Sequence, residues 1–166
     1  MTFTLGELKS KFTTRELWSC LVCSGHRRLE LNLIEKGAGH IDWHNASGNA
    51  LWKGVYLRDV LNYCEVDVEK GKHVEFVGAD DYHTSIPFAK CIDVSGDTLL
   101  AWEMNGEPLL PDHGYPLRIV VPGWSSKCSS KWIKKISVQE KETEAHMYHN
   151  YYKWFPKHIK SATKQK

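Results

Sequence analysis

The sequence predicts an α+β fold that consists mostly of mixed β sheets, with short helices and long polar loops. Most apolar runs have the length of a single strand, and glycine, asparagine or proline separates them. Helical spacing of apolar residues is confined to short segments. The 166 residues, of which 42% are hydrophobic and seven are tryptophan, are enough for the core of one domain.

Two helices are predicted in the first half of the chain. Thr4 and Glu7 have the spacing of a capping box, which predicts a helix that ends near Phe12. The segment Gly54–Tyr63 carries apolar residues at helical intervals, which predicts a second helix. A further helical turn is predicted over Ser130–Lys135.

Five segments predict strands, because each is apolar or alternating and most end at turn residues. They are Leu17–Val22, Lys72–Gly78, Thr98–Met104, Pro116–Val121 and Ile136–Gln139. The dipeptide Asn105–Gly106 predicts a tight turn after the third of them.

Composition excludes several classes of protein. The formal charge is only +2, and the one basic run is the tail from Lys157 to Lys166, so nucleic acid is not a predicted partner. No apolar run is long enough for a membrane helix, and the amino terminus lacks the apolar core of a signal peptide. Five scattered cysteines favour a reducing compartment, so we expect a soluble protein of the cytoplasm or mitochondrion.

The pair Cys20 and Cys23 has the spacing of a zinc or redox motif. A structural zinc site needs four ligands, and a second pair is missing from the sequence. On a strand, residues three apart point to opposite faces, which argues against a shared ion. A redox pair would start a helix, whereas Ser24 and Gly25 indicate a strand end.

Three interpretations of Cys23 remain open from the residues alone. Arg27 and Arg28 favour a thiolate, and their guanidinium groups can form bidentate hydrogen bonds with oxyanions. The thiolate could coordinate a soft metal or attack an anionic substrate. Alternatively, Cys23 is a buried structural residue and both arginines lie at the surface.

The six residues from Cys23 to Arg28 resemble the Cys-Ala-Gly-Asn-Arg-Arg segment in the molybdenum domain of sulfite oxidases and assimilatory nitrate reductases. Further segments are similar in order and spacing: Gly48–Val55, Leu57–Leu61, Tyr82–Pro87, Leu99–Gly123 and Lys131–Trp132. The chain is thereby identified as a member of this family. The resemblance implies the family's fold, with a partial molybdopterin-binding domain over residues 1–156 and a basic tail over residues 157–166.

The resemblance implies a molybdenum cofactor, whose metal is held by two dithiolene sulfurs and the Cys23 thiolate. By the same resemblance, His113, Arg118 and Lys131 bind the pterin and its phosphate. Arg118 stands inside an apolar strand, so its burial requires an anion or a carboxylate. The resemblance also assigns the neighbouring His26 and Arg27 to the cofactor site.

At the substrate side, the resemblance implies that Arg28 attracts the oxyanion, and that Trp43 and Tyr152 lie in the active site. It favours oxidation of sulfite to sulfate, with electrons passed to an external carrier such as a cytochrome. Reduction of nitrate or another oxide is the alternative. A third possibility is a non-catalytic cofactor-binding module or a truncated remnant.

The sequence departs from the family pattern in three places. His26 replaces asparagine in the cysteine motif. The loop Gly123–Cys128 lacks the family's second glycine, so that Lys127 or Cys128 stands near a former arginine. We also expect the family's preceding segment, its dimerisation domain, and any haem or flavin domain to be absent from this chain.

Overall fold

The strands form two sheets in the residues that the computed structural model describes, which are 1–36, 45–93 and 96–150. The larger sheet contains β1 (Arg15–Val22), β2 (Ser47–Tyr56), β5 (Leu99–Met104), β6 (Glu107–Pro108) and β7 (Arg118–Val120). Its order is β1-β2-β5-β6, and β7 pairs with β5. The smaller sheet has the order β4 (His83–Pro87), β3 (His73–Gly78), β8 (Ile133–Gln139). All pairings within these sheets are antiparallel.

Short helices lie between the strands and before and after them, which agrees with the predicted α+β class. They are α1 (Leu5–Lys11), α2 (Arg28–Asn32), α3 (Leu57–Tyr63), α4 (Phe88–Ile92) and α5 (His146–Asn150), with single 3-10 turns at Pro111–His113 and Ser126–Cys128. The predicted capping box is confirmed, because the Thr4 side chain accepts from the Glu7 N–H at 3.2 Å and the Glu7 carboxylate accepts from the Thr4 N–H at 2.8 Å. None of the helices in these residues is long and apolar enough to cross a membrane.

The larger sheet buries apolar side chains on both faces, as the period of two in β5 shows. Leu99 and Ala101 pack in a cluster with Trp52 and Val120. The alternate residues Leu100 and Trp102 pack in the main core, between the larger sheet and the elements around α3, α4 and β3. Since Arg118 is two residues from Val120 on β7, its side chain lies on the Trp52 face.

The helix predicted over Gly54–Tyr63 is only partly correct. Residues 54 to 56 continue strand β2, and the helix begins at Leu57. A side chain at Gly54 would overlap the carbonyl group of Leu100 on β5, so this glycine permits two backbones to approach closely. Apolar spacing alone could not place that boundary, because the contact joins distant segments.

The helical turn predicted over Ser130–Lys135 is wrong. Strand β8 begins at Ile133 and pairs with β3 as far as Gln139, so Ile133 packs against the main core as part of the smaller sheet. Just before the strand, Trp132 has a left-handed φ of 51°, which is incompatible with a continuing helix. The predicted strands beginning at residues 17, 72, 98 and 116 are confirmed as β1, β3, β5 and β7 with shifted ends.

Candidate active site

Cys23 directly follows β1, and its side chain is exposed. Its N–H donates to the Ala46 carbonyl at 2.8 Å, which ties the residue to the segment that leads into β2. The Gly25 N–H donates to the Cys23 Sγ at 3.4 Å. The interpretation of Cys23 as a buried structural cysteine is therefore wrong, and the thiol is accessible to a ligand.

A second loop holds the cysteine segment from the other side. The hydroxyl groups of Ser24 and Ser125 are hydrogen-bonded at 2.7 Å, and Val22 forms a parallel bridge with Ser125. The loop that carries Ser125 follows β7, includes Lys131 and ends where β8 begins at Ile133. The neighbours of Cys23 are thus fixed to the loop that supplies Lys131, one of the other predicted cofactor-binding residues.

Arg118 is a buried cation, since its residue is only 6% exposed. Its guanidinium lies 4.8 Å from the centre of the Trp52 ring and donates to the carbonyls of His113 at 2.8 Å and Ser129 at 3.1 Å. Burial lowers the pKa of Arg118 to about 10. The sequence predicts an anion or a carboxylate beside Arg118; these contacts include no carboxylate, and the protein compensates the charge with carbonyl dipoles and an aromatic face.

The turn Pro111–His113 is held by three side-chain donors. Besides Arg118, which donates to the His113 carbonyl, Lys131 Nζ donates to the Asp112 carbonyl at 3.0 Å, and Trp132 Nε1 donates to the Pro111 carbonyl at 2.8 Å. The structure therefore brings together the predicted phosphate-binding residues His113, Arg118 and Lys131.

Gly114 lets Arg118 and Lys131 converge, and these two residues form the cationic cluster. Its φ of 105° is a left-handed conformation that strains other residues, and a Cβ here would lie 3.0 Å from the Lys131 Cβ and 3.1 Å from the Arg118 Cβ. The His113 side chain is exposed and borders a groove of about 510 Å³, which is also lined by Met104 and Leu109. The groove adjoins the cationic cluster through His113, whose carbonyl accepts a hydrogen bond from Arg118.

The remaining residues of the cysteine motif have separate contacts. Arg27 has a left-handed φ of 60°, and its guanidinium pairs with Glu30 at 2.6 Å. Arg28 begins α2 and is half-buried, and no carboxylate among the described residues pairs with it. His26 accepts from the Ala46 N–H through Nδ1 at 3.2 Å. Trp43 and Tyr152, both predicted in the active site, lie outside the described residues.

Lys127 and Cys128 are the two candidates for the position at which the family has an arginine, and the structure describes both. Cys128 is fully buried in the main core, and burial raises the pKa of its thiol. Lys127 is half-buried, and its ammonium group lies 4.4 Å from the centre of the Tyr148 ring. Of these two residues, only Lys127 carries a cation in this loop.

The donors present fit a molybdenum cofactor with an anionic tail. Two polar atoms at the cationic cluster, Arg118 Nε and Ser130 Oγ, are buried and have no hydrogen-bond partner in the protein. Such atoms carry an energetic cost unless a ligand satisfies them. An exposed thiol at Cys23 supplies the soft donor that molybdenum requires. No group of three or more His, Cys, Asp or Glu side chains in the described ranges could hold a metal ion.

Some contributors to the site were not predicted from the sequence. Trp52 supplies the ring over Arg118, Ser125 anchors the cysteine segment, and Ser130 supplies the buried hydroxyl. The run of serines around Cys128 was the available signal, but serines occur in most loops. The indole of Trp52 is one of seven in the chain, and only the fold distinguishes it.

Comparison with known proteins assigns the family. Residues 1–147 match the family described as the oxidoreductase molybdopterin binding domain. The chain is 38% identical over 95% of its length to nitrate reductase [NADH] 2 of Phaseolus vulgaris, and 40% identical over 93% to the mitochondrial sulfite oxidase of Drosophila melanogaster. It spans 19% and 28% of the lengths of these two relatives.

A solved structure agrees with this assignment. The sulfane dehydrogenase SoxCD of Paracoccus pantotrophus superposes with a TM-score of 0.73 at 28% identity, covering 87% of this chain and 36% of that one. The similarity therefore extends over sequence and fold alike. The chain belongs to the molybdopterin-binding oxidoreductase family, which includes sulfite oxidases and nitrate reductases, and its cofactor is the molybdenum cofactor.

Proposed function

We propose that the chain oxidises sulfite to sulfate at a molybdenum cofactor held by the Cys23 thiolate. The supporting observation is the combination of an exposed thiol at the end of β1 with a buried, incompletely hydrogen-bonded guanidinium at Arg118. A thiolate donor suits a metal that changes oxidation state, and a guanidinium suits the phosphate of the cofactor. When bound, the cofactor supplies two-electron oxygen-atom transfer.

Each protein group has a distinct task in this proposal. Arg118 and Lys131 bind the anionic tail, Arg118 through its unpartnered Nε and Lys131 as a point charge. His113 borders the adjacent groove and contacts the pterin. Arg28, which is half-buried at the start of α2, attracts the substrate dianion and orients it.

The reaction requires an electron acceptor. Sulfite and water give sulfate, two protons and two electrons, and the oxygen added to sulfur comes from water. We propose that the electrons leave one at a time to an external carrier such as a cytochrome. We also propose, from the family resemblance, that Trp43 and Tyr152 lie near the substrate.

Nitrate reduction is the second candidate, because the bean nitrate reductase matches almost as well as the fly sulfite oxidase. That reaction runs in the opposite sense: nitrate, two protons and two electrons give nitrite and water. The same cationic residues suit either oxyanion, so substrate choice has to be measured. A cofactor-binding module without turnover is the third possible outcome, as the chain spans a minority of either relative.

The test is metal content followed by turnover. The 166-residue chain is expressed in a host that makes the molybdenum cofactor, and its molybdenum is measured by elemental analysis. Loaded protein is then assayed for sulfite-dependent reduction of cytochrome c or ferricyanide, and for nitrite formation from nitrate with a reduced viologen. We expect about one molybdenum per chain and turnover with sulfite.

Arg27→Met is the matched control for Arg28→Met, since the exposed Arg27 guanidinium is paired with Glu30, and a role of Arg27 in holding the cofactor would appear as lost molybdenum rather than as a changed KM for sulfite. We expect Arg28→Met to raise KM for sulfite by about tenfold or more, and Arg27→Met to leave it within about twofold. Turnover with nitrate alone would establish the second candidate. Molybdenum without turnover on either substrate would establish the module, and protein that binds no molybdenum would refute the proposal.

A further inference from the structure

His26 closes a ring of hydrogen bonds around the cysteine segment. The Cys23 N–H donates to the Ala46 carbonyl at 2.8 Å, the Ala46 N–H donates to the His26 Nδ1 at 3.2 Å, and the His26 N–H donates to the Cys23 carbonyl at 3.0 Å. Each of the three residues therefore both donates and accepts within the ring. Only the imidazole link depends on the identity of a side chain.

The ring joins two segments that no sheet pairing connects at this point. The ladder between β1 and β2 ends with Val22 opposite Ser47, and both Cys23 and Ala46 lie just beyond it. The ring extends the pairing by one residue on each side. A half-buried imidazole, as His26 is, exchanges its bond with water less readily than an exposed side chain would.

We propose that His26 is a positioning residue, which fixes the backbone of Cys23 through Ala46 so that the thiol is preorganised for molybdenum. This inference rests on the proposed function for its purpose, although the ring itself is a property of the chain alone. His26 acts here through its acceptor nitrogen on a backbone amide, whereas the family resemblance placed it in the cofactor site. The required feature is an acceptor at this position, which asparagine also has and leucine lacks.

The decisive variants are therefore His26→Leu and His26→Asn in the full chain. Amide hydrogen exchange is followed residue by residue by NMR, with the buried Ala101 amide in β5 as the reporter of global opening. In His26→Leu, the Ala46 and Cys23 amides should each exchange about fivefold faster relative to Ala101, the factor expected for one lost hydrogen bond. In His26→Asn, both should stay within about twofold of the wild-type rates.

A second measurement separates positioning from simple stability. In molybdenum-loaded protein, the visible absorption of the thiolate-bound metal should shift or weaken in His26→Leu and recover in His26→Asn. If only the Ala46 amide accelerates, or if Ala101 accelerates as much as Cys23, the positioning role is refuted. If none of the proteins binds molybdenum, the proposed function fails, while the exchange rates still decide whether the ring fixes Cys23.

Discussion

Replacing Arg118 with methionine tests whether this cation serves a ligand or the fold. Methionine keeps much of the side-chain length and removes the charge. Burial lowers the pKa of Arg118 from 12.5 to about 10, which corresponds to a cost of about 3 kcal/mol for the charged form. Against this cost stand two hydrogen bonds donated to the carbonyls of His113 and Ser129, at about 1.5–3 kcal/mol each.

These opposing contributions nearly cancel in the ligand-free protein. We therefore expect Arg118→Met to lower the free energy of unfolding by only about 1 kcal/mol, measured by urea unfolding. An anion beside Nε would change this balance, because it would pair with the buried guanidinium. The methionine side chain carries no charge and could not bind the anion. Molybdenum retained after purification should accordingly fall by about tenfold or more in this variant.

Arg58→Met is the matched control. The Arg58 guanidinium also lies over an aromatic ring, at 4.7 Å from the centre of Tyr56, and donates to the Gly96 carbonyl at 3.1 Å. It lies apart from the cysteine segment, so its loss should affect stability without affecting molybdenum. A fall of more than about 5 kcal/mol in ligand-free Arg118→Met would contradict the near cancellation, and unchanged molybdenum content would refute the ligand role.

Three further predictions follow from the surroundings of single residues. Cys23→Ser should lower bound molybdenum by about tenfold or more in elemental analysis, whereas Cys20→Ser within β1 should leave it unchanged, and equal losses would exclude Cys23 as the specific ligand. Gly54→Ala should lower the free energy of urea unfolding by about 3 kcal/mol because its Cβ meets a backbone, while Gly48→Ala, with open space around it, should stay within about 0.5 kcal/mol. Burial raises the pKa of Cys91 from 9.0 to about 12, so between these values the unfolded chain loses a proton that the folded chain keeps. Stability should therefore fall by about 1.4 kcal/mol from pH 8 to pH 10, and a Cys91→Ala variant with the same pH dependence would contradict this cause.

The elements that sequence predicts well are those whose formation depends on neighbouring residues. The capping box of Thr4 and Glu7 and the tight turn at Asn105 are local, and the structure contains both. The end of β2 at Tyr56 depends instead on how closely Gly54 approaches β5. That distance is a property of strand pairing, and no pattern within the segment encodes it.

The candidate site also combines features that the sequence could predict with features that it could not. Residue types alone made Cys23 a candidate ligand and predicted that a buried cation at Arg118 needs compensation. They could not identify what compensates the cation, because Trp52 is far from it in sequence. The partners of Ser24 and His26 were equally inaccessible, since Ser125 is separated from Ser24 by 101 positions and Ala46 from His26 by 20.

One loop is hydrogen-bonded both to the cysteine segment and to the guanidinium of Arg118. Ser125 anchors this loop to the cysteine segment, and the Ser129 carbonyl anchors it to Arg118. The Val121 N–H donates to the Ser129 hydroxyl at 3.0 Å, so the loop is also closed upon itself. Because these bonds are made within the chain, they reduce the ordering that cofactor binding requires. The conformation of this loop therefore depends on the hydroxyl groups of Ser125 and Ser129.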